Sequence, residues 1–165
     1  MKRVCSIILL LLIIPIVFCS CGEEDFVMNY EQPLATLVRS AVYSDTEAYI
    51  KCFTPESAEA YKNSEKYSGK LAEALLPRKE GERPVFNFEV KSKSELDNEE
   101  IDALEKEYKD KYTKNITIKK AYKLNVEFIL GEDDEKTAQR MDLTVVKISD
   151  SWYIFSEVIT EFKLT

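Results

Sequence analysis

Residues 116–130 read ITIKKAYKLNVEFIL and carry a regular alternation of apolar and polar side chains. Its even positions are apolar from Ile116 to Leu130, with Lys120 as the exception. Its odd positions are mostly lysine, asparagine and glutamate. The alternation predicts a long antiparallel strand that has one face on a core and the other in water.

Further strands are predicted after the turn that begins at Gly131. Apolar residues continue on odd positions through Val145, whereas Val146 and Ile148 fall on the opposite phase. This change of phase predicts a β-bulge near Val145. A final strand is predicted to start at Trp152.

Three helices are predicted ahead of the sheet. Pro33 suits the first turn of a helix, whose apolar stripe is Leu34, Leu37, Val38, Ala41 and Val42. Ser44 with Glu47 predicts a capping box for a second helix. Thr54-Pro55 predicts the start of a third, which we expect to continue toward Leu76.

One strand and one helix are predicted between these helices and the long strand. Phe86, Phe88 and Val90 alternate with polar residues, which indicates a half-buried strand. Asp97 with Glu100 predicts a capping box for the helix. The order of elements favours an α+β fold, in which N-terminal helices pack on a curved antiparallel sheet.

The first twenty residues have the pattern of a secretory signal peptide. Lys2 and Arg3 precede an apolar run from Val4 to Phe18, which is shorter than the ~20 residues of a transmembrane helix. The following Phe18-Cys19-Ser20-Cys21-Gly22 resembles the lipobox of bacterial lipoproteins. The resemblance implies cleavage before Cys21 and lipid attachment there. The alternatives are Cys19 as the acceptor and an uncleaved N-terminal anchor helix.

The chain therefore divides into a signal peptide (1–20), a lipidated N-terminus and tether (21–33) and one α+β domain (34–165). Removal of the signal takes away two basic residues and no acidic ones, which moves the formal charge from −7 to −9. This charge argues against nucleic acid as a partner. It also makes the lipid on Cys21 the expected contact with the membrane, on the extracytoplasmic face of the cell membrane.

Few residues are candidates for catalysis or metal binding. The chain has no histidine, and no pattern indicates a metal site or a cofactor. Cys52 is the one cysteine outside the signal and the lipobox, and its apolar surroundings favour a packed core thiol over a reactive one. Glu89, Glu127 and Asp142 fall on the polar phase of their strands, which favours solvated carboxylates. Glu157 is undecided, because the last strand is apolar on both phases.

Aromatic side chains are the remaining candidates for a site. At helical and strand spacing they are usually core residues, but they would line a cavity if the domain has one. The possible pocket residues are Tyr49, Phe53, Tyr61, Phe86, Phe88, Tyr122, Phe128 and Trp152.

Two stretches are similar to the nuclear transport factor 2-like superfamily. Residues 44–56, SDTEAYIKCFTPE, resemble its early helical passage, and residues 145–154, VVKISDSWYI, resemble its closing hairpin. The resemblance implies a cone-shaped domain with an internal pocket, as in many small Gram-positive lipoproteins. Enzymes of that superfamily use a carboxylate or a His–Asp pair inside the cone, and the pair is excluded here because histidine is absent.

Three functions are compatible with these features. The leading hypothesis is a membrane-anchored, non-catalytic module that binds a small apolar ligand or an envelope protein. The second is an isomerase or dehydratase with a buried carboxylate, for which Glu157 is the least excluded residue. The third is a structural role in envelope assembly through a flat apolar patch on the outer sheet face.

The lipidation site gives the first testable prediction. We expect Cys21→Ser to leave the protein unprocessed or to release it from membranes, because the lipid supplies the anchoring energy. Membrane fractionation with mass analysis of the mature N-terminus measures both effects. If the Cys21→Ser variant stays processed and membrane-bound while Cys19→Ser fails, the acceptor is Cys19.

Overall fold

The computed structural model describes residues 29–79, 82–132 and 136–164. The predicted signal peptide, Cys21 and most of the predicted tether lie outside the described residues. Within the described ranges, no helix is both long enough and apolar enough to cross a membrane.

A layer of four helices opens the domain. A 3₁₀ turn at Asn29–Glu31 leads into α1 (Gln32–Tyr43), which is followed by α2 (Thr46–Ile50), α3 (Pro55–Lys62) and the single turn α4 (Leu71–Ala74). The stripe predicted for α1 faces the core: Leu34, Leu37, Val38 and Ala41 are buried and Val42 packs against them.

The capping box predicted at Ser44 and Glu47 is wrong. Ser44 ends α1 in the left-handed conformation, with φ 60°. Asp45 caps α2 instead, because its carboxylate accepts a hydrogen bond of 2.9 Å from the backbone N–H of Ala48. The carboxylate and the hydroxyl are both good N-cap groups, and the turn that ends α1 leaves the cap position to Asp45.

The third helix is shorter than predicted. It begins at Pro55, as expected, and ends at Lys62 rather than continuing toward Leu76. Tyr61 turns the chain after α3, since its hydroxyl donates to the carbonyl of Lys66 (3.2 Å) and accepts from the N–H of Ser68 (3.3 Å). Leu71, Leu75 and Leu76 return to the core by way of α4.

The sheet has four antiparallel strands in the order β1-β2-β3-β4. They are β1 (Phe86–Glu95), β2 (Ile118–Leu130), β3 (Thr137–Ile148) and β4 (Ser151–Ile154), with helix α5 (Asn98–Tyr112) between β1 and β2. This arrangement confirms the predicted α+β class. Asp97 and Glu100 form the predicted capping box at the start of α5.

The β-bulge predicted near Val145 is wrong. Val145 pairs with Tyr122 and Val146 with Ala121 in an unbroken register. The register shifts lie between Val90 and Ser92 in β1 and between Ile118 and Lys120 in β2. Val145 and Val146 are both buried because the sheet is covered on both faces at this point.

The two faces of the sheet carry two separate apolar clusters. On the inner face, side chains such as Val126, Phe128 and Val145 pack against the helical layer. On the outer face, Val146 belongs to a smaller cluster against which Ile101 and Leu104 of α5 pack. The apolar side chains that β3 directs to the outer face, such as Val146, therefore pack against helix α5.

Residues 155–164, called the strap from here on, follow the short strand β4. The strap contains no helix or strand. Its buried side chains Val158 and Phe162 join the cluster between the helical layer and the inner face. The last strand is thus four residues long, and the chain beyond it closes the core instead of extending the sheet.

The cap of α5 gives a test of the fold. Asp97→Ala removes the acceptor for the N–H of Glu100, so we expect the free energy of unfolding to fall by about 1 kcal/mol. Chemical denaturation measures the change. Asp102→Ala, at an exposed position of the same helix, is the matched control, and an equal loss in both variants would contradict the role of the cap.

Candidate ligand-binding cleft

The predicted pocket aromatics do not meet in one cavity. They form three pairs in the main core: Tyr49 with Phe53 (ring centroids 5.8 Å apart), Phe86 with Phe128 (5.9 Å) and Tyr122 with Trp152 (5.6 Å). Five of these six side chains are buried, and Trp152 is half-buried. They serve first as packing groups between the helices and the sheet.

Tyr61 and Phe88, the other two predicted pocket residues, lie at the edges of the core. Phe88 is half-buried and lines a surface groove between α1 and the edge strand β1. Tyr61 is buried, and its ring lies 5.7 Å from the ring of Tyr67. The eight residues are therefore distributed over the whole inner face.

Phe162 of the strap completes the aromatic group at one end of the sheet. Its ring centroid lies 5.2 Å from that of Phe86 and 5.1 Å from that of Phe128. The tilted and edge-on geometry of both contacts is the arrangement that aromatic rings favour. Phe162 was not among the predicted site residues. The apolar residues on both phases after Ile154 are the signal for it, because they indicate a segment that is enclosed from two sides.

A cleft of about 730 Å³ opens beside this aromatic group. Its walls come from the segment after α4, the turn between β2 and β3 and the strap. The apolar lining consists of Leu75, Pro77, Pro84, Val85, Leu130, Phe162 and Leu164. The charged side chains are Arg78, Lys79, Glu82, Arg83 and Glu132. A volume of this size lies in the range of small-molecule sites, which are ~300–1,000 Å³.

Arg78 fixes one wall of the cleft. Its guanidinium donates hydrogen bonds to the carbonyl oxygens of Ala41 (2.6 Å) and Val42 (3.1 Å), which lie in the last turn of α1. Carbonyl groups at the end of a helix lack partners within the helix and carry partial negative charge, so a cation is favourable there. Arg83 lies against the same helix end, 5.0 Å from the centre of the Tyr43 ring.

The carboxylates considered for catalysis lie in polar surroundings. Glu157 is 78% exposed and pairs with Lys111 at 2.7 Å, and Lys111 lowers the pKa of its carboxyl group. Glu127 accepts from Lys91 and Arg140, which together lower its pKa. These are properties of ionised surface groups, and a general acid at neutral pH needs the opposite shift.

The outer sheet face carries a polar network over the part that α5 leaves open. Lys91 bridges Glu89 (2.6 Å) and Glu127 (2.8 Å), and Arg140 also pairs with Glu127 (2.8 Å). The side-chain amide of Asn125 donates to Asp142 at 2.7 Å. The flat apolar patch that an envelope-assembly role predicts is not found on this part of the described face.

Tyr108 is the one strongly perturbed group of α5. Its hydroxyl donates a hydrogen bond to the Glu56 carboxylate and accepts one from the Glu56 N–H at 3.4 Å. Burial, with a further contribution from Glu56, raises the pKa of Tyr108 to about 12. The pair ties α5 to the first turn of α3, and we interpret it as a structural contact.

Within the described ranges, no group of three or more histidine, cysteine, aspartate or glutamate side chains is arranged to hold a metal ion. Comparison of the chain with protein-family models, curated proteins and solved structures found no match.

Cys52 gives a prediction about chemistry in the core. Its Sγ lies 3.4 Å from the carbonyl oxygen of Ala48, and burial raises the pKa of the thiol to about 12. At pH 8 about one molecule in ten thousand then carries the reactive thiolate.

We expect iodoacetamide to leave Cys52 unlabelled in the native protein at pH 8 and to label it fully in denaturant. Mass spectrometry of the peptide that contains Cys52 measures both states. Rapid labelling of the native protein would contradict the buried placement.

Proposed function

We propose that this chain is a membrane-anchored lipoprotein of the extracytoplasmic face and that its domain is a non-catalytic binding module. In this proposal residues 1–20 are a signal peptide and the lipid on Cys21 holds the domain at the bilayer. The observation that carries the binding function is the cleft of about 730 Å³, which combines an apolar lining with charged side chains at its walls.

We also propose that the domain is a nuclear transport factor 2-like cone. Support comes from the helices that precede the sheet, the consecutive order of the four strands and the helical layer on one face. The two register shifts in β1 and β2 add to this support, since bulges bend strands. In such a cone the cleft lies at one end of the space between helices and sheet.

The chain enters the domain at the end of β1 that is remote from the cleft. Tyr30 belongs to the tether, and the ammonium of Lys93 in β1 is 4.4 Å from the centre of its ring. The cleft lies at the other end of β1, beside Val85. Seven residue steps of β-strand separate Phe86 from Lys93, a distance of roughly 23 Å. The residue at which the tether meets the domain and the cleft therefore lie at opposite ends of β1.

The lining defines the class of ligand as a molecule with an apolar body. Anilinonaphthalene sulfonate is a suitable probe, because its rings match the apolar lining and its sulfonate suits Lys79 and Arg83. We expect the mature lipoprotein in lipid nanodiscs to enhance the fluorescence of this dye beyond the signal of empty nanodiscs.

Val85→Glu tests whether the cleft is the site. Val85 is 37% exposed, so a glutamate is tolerated by the fold while it adds a negative charge to the wall. We expect about tenfold weaker dye binding, equivalent to ~1.4 kcal/mol. Tyr67→Glu, at an exposed apolar residue outside the cleft, is the control. Dye binding that is equal in the wild type and in Val85→Glu would exclude the cleft as the site.

A further inference from the structure

The strap is attached to the rest of the domain through its backbone. Ser57 Oγ donates to the carbonyl of Ser156 (2.7 Å), and the Tyr49 hydroxyl donates to the carbonyl of Ile159 (3.0 Å). The side-chain oxygen of Gln139 accepts from the N–H of Lys163 (2.5 Å). Because all three contacts are made to peptide groups, they do not depend on the side chains that the strap carries.

The side chains of the strap alternate at its end. Phe162 is buried against Phe86 and Phe128, Lys163 is exposed, and Leu164 is half-buried at the cleft. Alternation of this kind is that of an extended segment, in which residues two apart point to the same side. The end of the strap thus directs an aromatic side chain and, two residues later, an aliphatic one toward the inside of the domain.

The strap is held by fewer contacts than the strands beside it. Strands β2 and β3 are paired from Ile118↔Ile148 to Leu130↔Thr137. The strap makes one backbone hydrogen bond to β3, from the N–H of Phe155 to the carbonyl of Thr144 (2.8 Å), and no residue from 156 to 164 belongs to a strand. Segments with few hydrogen bonds open locally, with the rest of the fold intact. Release of residues 161–164 would enlarge the cleft, because Phe162 and Leu164 form part of its lining.

We propose that the cleft and the seat of the strap form one site for an extended peptide segment of another protein, with an aromatic residue followed two residues later by an aliphatic residue. Residues 161–164 occupy this site when the partner is absent, and the partner exchanges with them. This inference rests on the proposed binding function and names its ligand class. The side-chain oxygen of Gln139, which accepts from the N–H of Lys163, and the aromatic pair Phe86 and Phe128 are the groups that an incoming peptide would use.

The experiment uses a fluorescent synthetic peptide with the sequence of residues 159–164, ITEFKL. Phe162→Ala removes the side chain that occupies the position against Phe86 and Phe128. We therefore expect the peptide to bind the Phe162→Ala lipoprotein in nanodiscs about tenfold more tightly than the wild type. Fluorescence anisotropy measures both affinities.

Two controls show whether tighter peptide binding depends on the aromatic side chains. Glu161→Ala, at the exposed neighbouring position, should bind the peptide like the wild type, and a peptide with alanine in place of its phenylalanine should not bind. Equal affinity of a folded Phe162→Ala variant and the wild type would overturn the proposal. A wild-type chain that forms dimers through the same site would also overturn it, since the partner would then be a second copy.

Hydrogen exchange of the wild type tests the same claim without a substitution. We expect the amide of Lys163 to exchange at least about tenfold faster than that of Val126 in β2, and the peptide to accelerate it further. Exchange of Lys163 as slow as that of Val126 would overturn the proposal, because the strap would then open only with the whole domain. Dye binding in the cleft together with no peptide binding would reject the peptide site alone.

Discussion

The contact of Phe162 with Phe86 and Phe128 is the interaction that closes the core at the end beside the cleft. The inner face of the sheet and the helical layer enclose a space that β4 does not fill, because that strand has only four residues. The strap fills it with Val158 and Phe162. Phe162 also lines the cleft, so its side chain contributes both to the packing of the core and to the candidate site. A smaller side chain at position 162 would change both.

Coverage of the sheet on two faces explains much of the remaining architecture. Helix α5 buries the outer-face cluster around Val146, and the polar network of Lys91, Glu127 and Arg140 occupies the face beyond it. The concave surfaces with apolar side chains, among them the cleft and the groove beside Phe88, lie away from this part of the outer face. The carboxylates Glu127 and Glu157 lie in polar surroundings, and both have lowered pKa values.

Local sequence patterns predicted most helices and strands. The features that the patterns did not predict depend on contacts between residues that are distant in the sequence. The alternation in residues 116–130 and the capping box of Asp97 depend on neighbours in the sequence, and both were predicted correctly. The bulge near Val145 was predicted wrongly because the second apolar phase results from α5, which is remote in the sequence. The eight aromatic residues were recognised as core or pocket residues, but their separation into three pairs and two edge positions depends on tertiary packing. Phe162 was missed because the apolar residues on both phases after Ile154 indicate a segment enclosed from two sides but do not indicate which side chains it meets.

Exchange with a partner peptide requires the strap to leave its site when the peptide binds. Fluorine NMR of 4-fluorophenylalanine placed at position 162 follows this step, because the resonance reports on the contact with Phe86 and Phe128. With excess of the peptide ITEFKL, we expect the resonance to move from its buried position to that of a solvent-exposed ring, while the β2 and β3 amides keep their shifts. A resonance that stays at its buried position with the peptide bound would contradict the exchange.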